Sequence, residues 1–385
     1  MSDLNATPNR GNLRDVILLA LRLGFTAFGG PAAHIAMLRH EVVERYGWLS
    51  NQRFLDLIGI TNLIPGPNST EMVMQIGQER AGGRGLVLAG GAFILPAASI
   101  TLVFAWLYVE YGATTVGEAL LTGVKPVVLA VIVQAVWSLG RTAAKSVVLA
   151  ATSVLVGALY LLGINELALL FGGAALAVVT GRIRASVSTL AIAWPGLSGT
   201  TPMLALVTDP VTPYSTWRLF LAFLKIGSVL YGSGYVLVAF LENEFVERLG
   251  WITSQQLLDA VAVGQFTPGP VFTTATFIGY LVGGFPGAVA ATIGIFLPAF
   301  VFVAIAHSLI DRLLGMPWVR PVLDGLNAAA IGLMGGVAIT LGRDAITTPW
   351  AAMLAIASLL LLVRYRVNSA WLIVAGAMLG VVFAR

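Results

Sequence analysis

Arg22 stands about nine residues into an apolar run that begins near residue 13, and Lys225 holds the same place in a second run 203 positions later. Nine residues carry a side chain about 14 Å along a helix. A cation at that depth in a membrane costs roughly 2.5–3.5 kcal/mol on insertion scales, so it snorkels, is paired, or attracts an anion. Six residues after each cation the run is broken by "FGGP" 28–31 or "YGSG" 231–234, and further on by Pro65-Gly66-Pro67 and Pro268-Gly269-Pro270. Proline removes a backbone donor and stops a helix. A half-helix that begins inside a membrane presents free N–H groups and the positive end of its dipole, which attract an anion without a formal charge.

These breaks define the candidate anion site. Its members are Arg22, Phe28, Gly29, Gly30, Pro31, Asn62, Pro65, Gly66, Pro67, Asn68, Ser69 and Thr70 in the first half. In the second half they are Lys225, Gly232, Ser233, Gly234, Gln265, Pro268, Gly269, Pro270 and Thr273. The stretch "NST" 68–70 adds hydroxyl and amide donors and a natural helix cap. Ordinary loops satisfied by neighbouring helices are the competing reading, and matched duplication of both breaks favours a substrate site.

A second group of residues suits coupling or gating. "RHEVVERYGWLS" 39–50 and "ENEFVERLGWIT" 242–253 place Glu41 and Arg45, and Glu244 and Arg248, four residues apart on a helix face. Trp48 and Trp251 then end an amphipathic interface helix, or the charges form a switchable ion pair. Asp56 and Asp259 open the next apolar segments, as helix-start carboxylates or as proton relays. Glu71, just past the first Pro-Gly-Pro, has no acidic counterpart and is a proton-coupling candidate.

The elements that must position these residues are membrane helices. Of 385 residues, 58% are hydrophobic and 10% charged, with mean hydropathy +0.89. Soluble domains carry about 25% charged residues, so this composition belongs to a polytopic membrane protein. There is no cysteine, hence no disulfide or thiol chemistry, and His34, His40 and His307 are too widely spaced to suggest a metal cluster. Catalytic and nucleotide-binding motifs are missing, so neither an enzyme nor a cofactor is expected. A net charge of +4 from scattered basic residues gives no support for nucleic-acid binding. The polar N-terminus shows no signal-peptide pattern. Apolar segments run near 13–38, 54–78, 86–109, 119–139, 146–162, 166–181, 186–207, 217–241, 257–281, 286–310, 322–341, 350–363 and 369–384.

The chain repeats itself. A shift of 203 aligns Gly24–Pro67 with Gly227–Pro270 at 16 identities in 44 positions, and a shift of 202 then aligns "LPA" 95–97 with 297–299. Short basic loops stay in the cytoplasm. In the first half these are Arg80/Arg84, Arg141/Lys145 and Arg182/Arg184, while the alternate loops carry Glu110, Glu118 and Glu166. In the second half the equivalent of Arg80/Arg84 is uncharged, the acidic loops become Arg312/Arg320 and Arg364/Arg366, and Arg343, balanced by Asp344, is the one residue that does not follow. The expected fold is therefore all-α, with two inverted-topology repeats whose broken, re-entrant helices meet near the bilayer centre. The first repeat is 12–184 and the second 216–385, and a linker, 185–215, holds the one helix that turns the second repeat over. Residues 54–78 must enter and return on one side. Residues 13–38 form a second such hairpin or a full crossing.

"FTAFGGPAAHIAMLRHEVVERYGWLS", the following "FLDLIGITNLIPGP" and the degenerate second copy resemble the long-chain chromate ion transporter family over nearly the whole chain. The resemblance implies a multi-pass carrier of the bacterial or archaeal inner membrane that exports chromate, with sulfate as a similar oxyanion. Proton or sulfate coupling, a homodimer, a sulfate carrier and an anion channel stay open. The second copy lacks Pro31 and His34, which makes the site asymmetric and adds His34 to the gating candidates.

Overall fold

A computed structural model describes residues 12–28, 30–143, 146–186, 213–231, 234, 236–314 and 319–383, and among these there are 14 α-helices and no strand. α1, Leu13–Thr26, starts at Asn12, whose side chain accepts from the Arg14 N–H at 3.1 Å, and stops before the glycine break. Its 14 residues span about 21 Å, short of the roughly 30 Å hydrocarbon core. α2, Gly30–Arg39, returns and widens into a π-helical turn, His40–Arg45. α3, Asn51–Thr61, leads to the first Pro-Gly-Pro, from which α4, Asn68–Tyr111, departs. Residues 13–38 are thus two half-length helices.

α4 is too long for one crossing, and it folds back. Ala81 and Gly82 leave helical geometry, Gly82 at φ +63, ψ −155. A Cβ on Gly77 or Gly85 would run into the backbone of the other arm, so arms 68–80 and 83–111 touch. The Arg53–Glu79 ion pair sets the start of α3 beside the end of the first arm. Both ends of 51–80 therefore lie on one side, with the Pro-Gly-Pro at the far tip.

After α5 (Thr115–Ala143), α6 (Val147–Leu161) and α7 (Glu166–Ser186) the pattern repeats. α8 is Thr216–Val229 and α9 Leu237–Leu241, followed by a second π-helical turn, Glu242–Arg248. α10, Ser254–Phe266, has a capping box between Thr253 and Gln256. A 3₁₀ turn, Val271–Thr273, opens α11, Thr274–Leu314, which folds back at Gly283 and Gly284 with the dihedrals of Ala81 and Gly82 to within a few degrees. α12 (Val319–Ala345), α13 (Pro349–Tyr365) and α14 (Ser369–Phe383) close the chain.

The halves interlock. α1 packs on α4 and α8 on α11, α4 and α11 meet, α5 packs on α13 and α14, and α12 packs on α6 and α7. Glycines permit the closest of these contacts: a Cβ on Gly123 would strike Gly376 and Gly380 of α14, and one on Gly325 would strike Gly173 of α7. Leu95, Val154, Ile356, Trp371 and Met378 are exposed, an apolar surface of the kind lipid covers. Four helices among the described residues, or their apolar stretches, are long and apolar enough to cross a membrane: 68–111, 115–141, 271–306 and 320–345. Four shorter apolar helices accompany them. The expected crossing at 186–207 lies, beyond Ser186, outside the described residues.

Candidate substrate site

The two Pro-Gly-Pro tips meet the breaks of the opposite repeat. Gly66 N–H donates to Leu230 O at 2.9 Å, and Gly269 N–H donates to Ala27 O at 2.9 Å. Leu230 and Ala27 end α8 and α1, where no following turn supplies a helical donor. Gly66 and Gly269 hold φ +143 and +88, open to glycine alone without strain. A Cβ on Gly66 would meet Ala299 Cβ at 3.5 Å and one on Gly269 would meet Ala97 Cβ at 2.8 Å, so each tip lies against the alanine of the other repeat's "LPA". Four half-helix ends from two repeats are thereby gathered in one place.

Around them, Pro65, Pro67, Ser69, Thr70, Pro268, Pro270 and Thr273 are buried. Thr273 Oγ1 donates to Pro270 O at 2.9 Å and accepts from Thr101 Oγ1 at 3.2 Å. Asn68 donates to Asn62 Oδ1 at 3.1 Å, and Tyr231 O–H crosses to Leu63 O at 3.1 Å. Gly234 is buried against Val271 and Phe272, and Phe28 is partly exposed. His34 Nε2 lies 3.0 Å from Ala27 O, behind the Gly269 contact. Gly30 and Pro31 start α2, whereas Gly29, Gly232 and Ser233 lie outside the described residues.

The two cations are engaged. Arg22 Nη2 donates to Glu41 Oε1 at 2.9 Å, and Arg45 Nη1 to Glu41 Oε2 at 3.0 Å. Lys225 Nζ donates to Glu244 Oε2 at 2.5 Å, and Arg248 Nε to the same oxygen at 3.1 Å. Each π-helical turn thus buries one carboxylate between a cation from the preceding half-helix and one from its own turn. The interval of 19 between cation and glutamate recurs in both copies, a pairing signal in the sequence itself. Asp56 is exposed and accepts from Gln52 at 3.0 Å, whereas its counterpart Asp259 is buried and accepts from Tyr108 O–H at 3.0 Å.

Sequence reasoning missed Ala27 and Leu230, which act through carbonyls that leave no side-chain signature. It also missed Gln75, whose position four residues after Glu71 in an apolar helix was a usable signal.

Half-crossing helices broken at matched places, with polar ends gathered inside an apolar bundle, define a multi-pass helical membrane protein built from two related repeats. The sequence profile described as "Chromate transporter" matches residues 14–201 and 217–381, and the chain belongs to that family. The chromate transport protein of Pseudomonas aeruginosa is 34% identical over 333 residues, covering 84% of this chain and 79% of the relative. That of Cupriavidus metallidurans is 31% identical over 385 residues, covering 95% and 92%. An uncharacterized transporter of Methanocaldococcus jannaschii is 25% identical over 92% of this chain and 91% of the relative. No solved structure matches the chain.

Proposed function

We propose that the chain is a secondary transporter that exports chromate across the inner membrane by alternating access, through a site at the four gathered half-helix ends. Chromate is the substrate on the strength of the family and of relatives named as chromate transport proteins. A tetrahedral dianion must shed water to enter the bundle, so it needs donors and positive potential in return. Half-helix starts supply the donors, and Arg22 and Lys225 supply the potential, released toward the substrate as their glutamates yield. The charge pattern of the loops favours inverted repeats with the Arg80/Arg84 turn in the cytoplasm.

One observation carries the alternating-access reading: equivalent hairpins are packed unequally. α10 is buried along most of its length against α5, α12 and α14. Its counterpart α3 exposes Asn51, Gln52, Leu55 and Asp56, with Asn62 just beyond its end, a face too polar for lipid and suited to a water-filled approach. Two copies of one motif, one closed and one open, are the asymmetry that a carrier exchanges between its states. The purified chain in proteoliposomes tests the reading. Saturable chromate flux supports a carrier, flux proportional to concentration without saturation supports a channel, and no flux sinks both.

A further inference from the structure

The first turn of α4 contains an acid that nothing in the fold uses. Glu71 has no exposed surface, and neither carboxyl oxygen has a hydrogen-bond partner. It turns back on the break, so that a Cβ on Gly66 would collide with Glu71 Oε1. Thr70 Oγ1 beside it and both polar atoms of Gln75 one turn on are also buried without partners. The repeat equivalent of Glu71 is Thr274, whose hydroxyl is already engaged, donating to Val271 O at 2.8 Å. The idle acid therefore belongs to one repeat alone, at a helix start whose dipole attracts an anion.

The groups around it leave the acid unpaired. Across the repeat interface Tyr231 lies within electrostatic reach, its O–H given to Leu63, and α11 offers Ala299. On the other elements packed on α4, Arg22 is bound by Glu41, Arg53 by Glu79 and Asp56 by Gln52, while His34 Nε2 is held by Ala27 O. An ionised carboxylate left unpaired in such a place costs several kcal/mol. A carboxylic acid costs far less and has an O–H to donate.

We propose that Glu71 binds a proton together with the transported oxyanion: its O–H donates to an anion oxygen seated at the start of α4, and its carboxylate form repels the anion. The inference rests on the carrier reading above and adds the residue and the sign of the coupling. The proton is taken up on the side where the anion binds and released with it on the other. Linkage makes the effect mutual, so the anion also strengthens the hold on the proton. A dianion leaving with one proton carries one net negative charge outward. A potential of 100 mV, negative inside, then favours export by about 2.3 kcal/mol.

The test uses the full chain in lipid nanodiscs with chromate as probe, comparing the parent with Glu71→Gln from pH 6 to 9. The parent should lose affinity by about tenfold per pH unit above the titration of Glu71, beyond any change chromate itself causes. Glu71→Gln, a permanent stand-in for the neutral acid, should lack that added slope. In weak buffer the parent should take up as much as one proton more per chromate than the variant. Identical pH profiles in parent and variant overturn the proposal. So does a parent that takes up no proton beyond chromate's own titration, a reading that needs no variant to fold. A parent that binds no chromate at any pH overturns the carrier reading itself.

Discussion

Gly66 N–H donates to Leu230 O across the interface between repeats, and the equivalent bond from Gly269 to Ala27 O has the same length of 2.9 Å. Each repeat thus caps the broken helix of the other with the glycine of its own break. The prolines on either side cannot donate, so the glycine amide is the donor available at each tip. These two bonds join the half-helix ends of both repeats in one core.

Gly66→Val and Gly269→Val should each cut chromate transport at least tenfold. A β-branched residue at φ +143 or +88 is strained by about 1–3 kcal/mol, and its Cβ meets Glu71 in one case and Ala97 in the other. Uptake into vesicles, normalised to the protein in the membrane, checks this. Gly59→Ala, where a Cβ meets nothing within 4 Å, should leave uptake unchanged.

Glu118 and Arg320 occupy equivalent positions under the shift of 202. If the repeats are inverted, Glu118→Cys should react with an impermeant thiol reagent from outside the cell, and Arg320→Cys only after the membrane is opened. The absence of native cysteine makes the measurement clean. Labelling of both from the same side would refute inversion.

Arg22→Gln should leave Glu41 with Arg45 as its one cation and reduce transport by tenfold or more. Pairing it with Glu41→Gln removes the buried charge that the single substitution leaves under-compensated. If Arg22 acts only as a brace for Glu41, transport returns in the double variant. If it supplies potential to the anion, the double variant folds and stays inactive, and inactivity with restored thermal stability is the expected result. The Lys225 and Glu244 pair should behave alike.

Glu242, in the second π-helical turn outside the spanning segments, gives a pH effect. Burial pushes its carboxyl up to about 7, Glu247 and Asp344 add to the push, and the Ser254 hydroxyl donating at 3.2 Å opposes it. The folded chain keeps this proton while the unfolded chain gives it up near the ordinary 4.5, so stability falls as pH rises between these values. Glu242→Gln should raise the melting temperature at pH 8 and leave it nearly unchanged at pH 4. An equal rise at both would contradict the assignment.

Much of this architecture was legible in the sequence because its signals are short-range. Pro-Gly-Pro, the glycine breaks and the 203-residue shift are written in residue types that dictate backbone shape. The pairing of Arg22 with Glu41 was legible in principle, since both members recur together 203 residues later. What was not legible is set by distant packing. Asp56 and Asp259 are the same residue in the same motif, yet one is exposed and the other lies against Tyr108 of the opposite repeat. No local pattern distinguishes them, because the difference lies in which hairpin the outer helices cover.

That difference supports a final prediction. In this structure Lys125 on α5 donates to Gln255 on α10 at 2.5 Å, closing the second-repeat hairpin. The repeat equivalents of these residues are Asn327 on α12 and Gln52 on α3. Gln52 is exposed and spends its amide on Asp56. If the repeats exchange conformations during transport, Gln52 and Asn327 must approach in the other state as Gln255 and Lys125 do in this one. A Lys125→Cys, Gln255→Cys pair should crosslink in the resting protein and stop chromate flux until reduced. A Gln52→Cys, Asn327→Cys pair should crosslink slowly at rest and several-fold faster with chromate present, as substrate draws the carrier through its second state. A crosslink at 52 and 327 that forms at the same rate with and without chromate would remove the exchange of roles between α3 and α10.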